Sequence, residues 1–135
     1  MPQHLSSKNL LLSTRPLTVG VVADAVAWET FVGTPPEQRD GLCDVAELRL
    51  DTLGISAAEI RAKLAGNTTP LLLTARHPAE GGQAPEDPVA RAAMYEPLLD
   101  LAALIDIELR SARELQGTIQ KARAAGLLEG TGPKR

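Results

Sequence analysis

The chain of 135 residues suggests a single domain, and its net charge of −3 gives no electrostatic case for nucleic acid or an anionic membrane surface as a partner. Its single cysteine, Cys43, excludes an intramolecular disulfide and a cysteine-based metal cluster. No apolar run reaches the roughly 18 residues of a membrane span. We therefore expect a cytoplasmic protein that needs no metal and no cofactor.

Four apolar segments predict β-strands in chain order. Residues 1–16 precede them and are predicted to form a flexible leader, and residues 127–135, rich in glycine and charge, are predicted to form a disordered tail. The strands are predicted near residues 17–23, 45–51, 70–76 and 104–109.

Helical patterns separate these strands. A weak one after the first strand is broken by Gly33, Pro35 and Pro36. The second helix begins with Ser56 and Glu59 as a capping box, the third with Asp87 and Pro88, and the last with Ser111 and Glu114 as another capping box. Pro97 predicts a kink or break in the third helix. This alternation indicates an α/β fold with a parallel sheet and helical crossovers.

One face of the predicted sheet is polar toward its C-terminal end. With period-two alternation, each of the last three strands has an apolar side for helices and a side that carries charges. The charged set consists of Glu47, Arg49, Asp51, Arg76, Asp106, Glu108 and Arg110. Unpaired buried charges are costly, so these groups form a self-satisfied salt-bridge network, face solvent, or line a ligand site at the strand ends, where βα folds place their sites.

The third strand leads into a loop that carries more candidate groups. His77 and Glu80 follow the strand, and Gly81 with Gly82 allows either a positive φ or a close approach of the backbone. A lone histidine in a loop is more often a bystander than a base, and a glycine pair alone also fits a simple turn.

Together, the segments ELRLD at 47–51, PLLLTAR with EGG at 70–82, and IDIEL at 105–109 resemble type I 3-dehydroquinate dehydratase. The resemblance covers residues 17–126. It implies a partial, half βα barrel of the TIM type, with about four parallel strands and flanking helices. The family is a lyase of the shikimate pathway, which leads to the aromatic amino acids. It dehydrates 3-dehydroquinate to 3-dehydroshikimate through a Schiff base on a lysine.

The resemblance also implies roles for four residues. Glu47, Arg49 and Arg76 match family positions that contact the hydroxyl groups of the substrate, 3-dehydroquinate. Glu80 matches the glutamate that orients the catalytic histidine. His77 matches no family position and receives no role.

The family's histidine and Schiff-base lysine lie beyond the matching segment. The four lysines of this chain, Lys8, Lys63, Lys121 and Lys134, fall on predicted helices or in terminal segments. We therefore expect a truncated chain without a catalytic lysine, inactive alone. The alternative is a non-catalytic half barrel that assembles through its open strand edges, as a homodimer or with a separate C-terminal half.

Overall fold

A computed structural model of the protein describes residues 15–130. The predicted leader therefore lies outside the described residues except for Arg15 and Pro16, and Arg15 forms an ion pair of 2.8 Å with Asp44. None of the helices within the described range has the length and apolar character needed to cross a membrane.

The described residues form one parallel sheet with strands in the order in which they occur in the chain. The strands are β1 (Val19–Val22), β2 (Val45–Arg49), β3 (Leu71–Thr74), β4 (Leu104–Asp106) and β5 (Leu128–Gly130). Every neighbouring pair is parallel. The predicted α/β class and the four parallel strands are confirmed.

The fifth strand corrects the prediction for the end of the chain. Leu128–Gly130 lies in the predicted disordered tail but pairs with β4. Leu127, just before it, is buried in the core. The exposed edge of β4 provides hydrogen-bonding partners that a local sequence pattern does not reveal. Residues 131–135 lie outside the described range.

The helices are α1 (Ala25–Gly33), α2 (Leu50–Leu53), α3 (Ala57–Lys63), α4 (Pro88–Tyr95) and α5 (Gln116–Ala124). Short 3₁₀ turns occupy Pro36–Gly41, Pro78–Glu80, Glu96–Leu101 and Leu109–Ser111. The predicted caps hold for α3 and α4, because Ser56 accepts from Glu59 N and Asp87 accepts from Val89 N. The expected break at Pro97 is the change from α4 to the 3₁₀ turn.

The last helix does not begin as predicted. Ser111 lies in a 3₁₀ turn, and α5 starts only at Gln116 with no side-chain cap. The Ser111 hydroxyl instead accepts a hydrogen bond from Nη2 of the fully buried Arg91. Nη1 of the same arginine donates to Pro85 O and Glu86 O. Satisfying this buried cation takes precedence over capping a helix at the surface.

The core lies between the outer face of the sheet and the helices. Register places alternate residues of each strand on this outer face, and these residues are almost fully buried, namely Ala46, Leu48, Leu71, Leu73 and Ile105. Helical residues including Trp28, Phe31, Ile60 and Ile119 complete the same cluster. The opposite, inner face of the sheet is thereby left to carry the polar side chains.

Tyr95 joins β3 and β4 at their C-terminal ends. Its buried hydroxyl accepts from Ala75 N at 2.9 Å and donates to Asp106 O at 2.8 Å. Burial is the main cause of the strongly raised pKa of this phenol, which therefore stays protonated and able to donate.

We expect Tyr95→Phe to lower the free energy of unfolding by about 1–3 kcal/mol, because it leaves the buried Ala75 N–H without a partner. Urea unfolding followed by circular dichroism measures the change. Thr30→Val is the matched control, since it removes an exposed hydroxyl that donates to Val26 O, and should change stability by less than about 0.5 kcal/mol. Equal effects of the two substitutions would contradict this account of Tyr95.

Candidate active site

The inner face of the sheet carries a row of polar side chains at the strand C-termini. Register aligns Arg49 with Thr74 and Thr74 with Asp106 on three adjacent strands, and these residues share one face. One layer below, Glu47 aligns with Leu72. Glu47, Arg49 and Asp106 are half-buried, so the row borders solvent.

Glu47 is held by its neighbour on β3. Its Oε2 accepts a hydrogen bond of 2.8 Å from the hydroxyl of Thr74, which is itself 2% exposed. The bond uses one lone pair of one oxygen and leaves the rest of the carboxylate able to accept from a ligand. Thr74 carries no charge, so the pattern of charged residues in the sequence did not identify it as the partner of Glu47.

Arg49 binds Asp51 through two parallel hydrogen bonds, from Nε at 3.0 Å and from Nη2 at 2.8 Å. The prediction that Asp51 continues the strand is wrong, because β2 ends at Arg49 and Asp51 lies in α2. Leu50 and Leu53 are both buried, three residues apart, which favours a helical turn, and Gly54 ends it with φ +69°. The expected pairing of charges nevertheless forms.

Arg76 lies beyond the end of β3 and faces Asp106, with Nη2 and Oδ2 at 3.6 Å. Burial is the main cause that raises the pKa of Asp106; Arg76 opposes the shift, and the neighbouring Glu47 and Glu108 add to it. The two side chains are 31% and 35% exposed, so water or a ligand reaches both.

The predicted extension of β4 to Leu109 is also wrong. The strand ends at Asp106, Leu109 is largely exposed, and Arg110 lies in a 3₁₀ turn. Glu108 still reaches the loop that follows the third strand, where its Oε2 accepts a hydrogen bond of 2.7 Å from His77 N. Only two pairs form within the predicted set of seven charges, Arg49 with Asp51 and Arg76 with Asp106. Glu47 and Glu108 accept from uncharged donors, and Arg110 pairs with Glu80.

The loop after β3 is folded tightly against Arg76. Gly81 adopts φ +86°, and a Cβ on Gly82 would lie only 2.1 Å from Arg76 O. Gly81 therefore provides the positive φ and Gly82 the close approach of the backbone, the two explanations that the sequence allowed for this pair. Glu80 pairs with Arg110 at 3.1 Å, and both side chains are partly exposed. The imidazole of His77 accepts from Ala79 N through Nδ1 and caps the local 3₁₀ turn.

Among the residues that the structure describes, the site offers guanidinium donors and carboxylate acceptors but no amine. Lys63 and Lys121 lie on α3 and α5 and are exposed, and Lys121 pairs with Glu96 at 2.9 Å. Lys8 and Lys134 lie outside the described residues. Within residues 15–130, no group of three or more potential ligands is arranged to hold a metal ion. Such a set of side chains can bind and orient a polyhydroxylated anion but supplies no nucleophile.

A cavity of about 320 Å³ lies elsewhere, between α4 and α5, and includes Ala92, Glu96 and Thr118 in its lining. It belongs to the helical layer and contains none of the residues predicted for the site. Glu47 and Arg49 lie on the inner face of the sheet and Arg76 contacts Asp106 there, whereas Glu80 lies in the loop after β3.

Comparison with known proteins gives a consistent result. Residues 37–127 match the profile of the family described as type I 3-dehydroquinase. A 3-dehydroquinate dehydratase of Methanosarcina acetivorans is 36% identical over 109 residues, which are 75% of this chain and 45% of that protein. The chain thus spans about half the length of its relatives.

Solved structures share the fold of this chain. A 3-dehydroquinate dehydratase from Enterococcus faecalis superposes with a TM-score of 0.64 at 26% identity, over 94% of this chain and 57% of that one. One from Geobacillus kaustophilus superposes with a TM-score of 0.73 at 19% identity, over 96% and 55%. The chain therefore belongs to the type I 3-dehydroquinase family and forms about half of the family's βα barrel.

Proposed function

We propose that this chain carries the substrate-hydroxyl side of a 3-dehydroquinate dehydratase site. Glu47, Arg49 and Arg76 hold the polyol ring of 3-dehydroquinate, and Glu80 supports a catalytic histidine that another part of a complete barrel supplies. The proposal rests on a row of charged side chains on the inner face, which are fixed by hydrogen bonds or ion pairs and remain partly exposed to solvent, in a member of this family. A cytoplasmic location remains a prediction.

Binding of 3-dehydroquinate tests this directly. Titration of the ¹⁵N-labelled chain should shift the side-chain Nε–H signals of Arg49 and Arg76. Arg76→Ala should weaken binding at least tenfold, because a charged hydrogen bond to a hydroxyl group contributes about 1.5–3 kcal/mol. Arg123→Ala, on α5, is the control and should leave binding unchanged. An equal loss in both variants would contradict the proposed site.

The purified chain should show no dehydration of 3-dehydroquinate. An imine requires a desolvated lysine of lowered pKa beside the ketone, whereas Lys63 and Lys121, the two lysines within residues 15–130, are exposed on helices. Without the imine, no electron sink exists for the carbanion that forms when the proton beside the carbonyl leaves. Borohydride reduction with substrate, followed by mass spectrometry, checks this result. A covalent adduct on either lysine would overturn the assignment.

A second candidate function is assembly through the open edges of the sheet. Within the described residues, β1 pairs only with β2 and β5 only with β4. On the inner face of β1, Val19 and Val21 are 49% and 53% exposed. We propose that a second copy covers this face and pairs with the edges. Two copies together have ten strands, whereas an eightfold barrel would be completed by three strands added to the five of this structure.

Sedimentation of Val21→Lys tests assembly. The substitution places a charge on the exposed inner face, so a homodimer should dissociate while the fold persists. Val26→Lys, on a valine of α1 that is 77% exposed, is the control and should leave the dimer intact. A wild-type chain that sediments as a monomer would contradict the homodimer and favour a complement with three strands.

A further inference from the structure

Asp51 is the most completely enclosed charged group beside the site. Its side chain is 0% exposed, although it lies only two residues beyond the end of β2. Its Oδ1 accepts from Arg49 Nε, and its Oδ2 accepts from Arg49 Nη2 and from Gln83 N at 3.0 Å. One carboxylate therefore contacts both the arginine of β2 and the loop that follows β3.

The bidentate contact fixes the plane of the Arg49 guanidinium. It occupies the edge formed by Nε and Nη2, and Nη1 donates to no residue within the described range. The side chain is 20% exposed. Because the guanidinium is planar, the two-point contact through Nε and Nη2 also fixes the direction of the Nη1 N–H groups, which remain able to donate to a hydroxyl group.

The same carboxylate holds the loop that carries Glu80. Gln83 follows the glycine pair that packs against Arg76, and its N–H donates to Asp51. Burial alone would raise the pKa of Asp51, but Arg49 and the N–H groups of Gln83 and Arg76 outweigh it, so the pKa is lowered. The carboxylate is thus charged at neutral pH and able to accept from all of these donors.

We propose that Asp51 is a positioning residue that orients Arg49 and fixes the Gly81–Gln83 loop for binding of the substrate hydroxyls. This inference rests on the proposed substrate site. Asp51 itself does not touch the ligand, because its side chain is enclosed by protein. It acts through Arg49 and through the loop backbone.

A double-mutant cycle with 3-dehydroquinate tests the proposal. Wild type, Asp51→Asn, Arg49→Lys and the double variant are titrated by NMR, which counts only folded protein. We expect each single substitution to weaken binding at least tenfold. The affinity of the double variant should be within threefold of that of the weaker-binding single variant, because both substitutions act through the orientation of the guanidinium at position 49. Asp100→Asn, in the exposed pair with Arg61, is the control and should bind like wild type. Losses that multiply in the double variant, or unchanged binding by Asp51→Asn, would overturn the proposal.

A measurement without ligand separates this proposal from the proposed function. Hydrogen exchange of Arg49 Nε–H and Gln83 N–H should be at least tenfold faster in Asp51→Asn than in wild type, while Ile105 N–H in the core strand keeps its protection. Unchanged exchange would overturn the positioning role. If wild type does not bind 3-dehydroquinate, the substrate site fails, and the exchange data then decide only whether Asp51 orders Arg49 and the loop.

Discussion

Replacing Gly82 with alanine should destabilise the protein by about 3 kcal/mol, a large effect for a single methyl group. The added Cβ would lie 2.1 Å from Arg76 O and 2.4 Å from Arg76 Cβ. The nearest atom belongs to the backbone and cannot rotate away, so the loop must open. Opening it breaks the bonds from Gly82 N to His77 O and from Ala84 N to Arg76 O. Urea unfolding measures the loss.

Gly117→Ala is the matched control for this substitution. Gly117 lies in α5, and a Cβ there meets nothing within 4 Å. Alanine is favoured over glycine inside a helix by up to about 1 kcal/mol, so this variant should be as stable as wild type or more stable. If Gly82→Ala matched Gly117→Ala, the close approach to Arg76 would be without consequence for stability.

The second large effect is expected for Arg49→Ala, which should lower the free energy of unfolding by about 3 kcal/mol at pH 7. The substitution leaves the fully enclosed carboxylate of Asp51 without its cation. Gln83 N–H still donates to Asp51, so the loss lies at the lower end of the range for broken buried pairs. Arg61→Ala, which breaks the exposed pair with Asp100, should lower stability far less, because solvent screens that pair.

The pH dependence of this loss has a defined sign. In the wild type the pKa of Asp51 is lowered, so its contribution to stability is present above the unfolded pKa of about 3.9 and disappears as the pH falls through the folded value. Without Arg49, burial favours the neutral acid instead. The stability gap between wild type and Arg49→Ala should therefore begin to narrow above about pH 4, where the variant's carboxyl takes up a proton, and continue to narrow as the pH falls further. A gap that is constant from pH 7 to pH 3 would show that Asp51 is not the cause.

Most of the fold follows from local patterns in the sequence. Strands β1 to β4 fall within the apolar segments predicted for them, because short runs of apolar and β-branched residues bounded by turn residues favour strands. The caps at Ser56 and Asp87 depend only on neighbouring residues, and both form as predicted. The polar inner face also follows from alternation, which brings Arg49, Thr74 and Asp106 into one row.

What the sequence did not reveal depends on partners far away in the chain. Ser111 does not cap the last helix because it satisfies the buried Arg91, twenty residues earlier. Asp51 leaves the strand because Leu50 and Leu53 are both drawn into the core. The strand Leu128–Gly130 exists because β4 offers it an edge. The roles of Glu47, Arg49, Arg76 and Glu80 came from family resemblance and remain proposals that binding experiments test.

The chain-order arrangement of the sheet has a consequence for how the protein folds. Within residues 15–130, each strand after β1 pairs with the one synthesised just before it, so none of these strands needs a distant C-terminal segment in order to pair. Contact order is therefore low for a parallel β-protein, which favours rapid folding. A nascent chain leaving the ribosome can add one strand–helix unit at a time to an existing edge, as repeat proteins grow by nearest-neighbour interfaces.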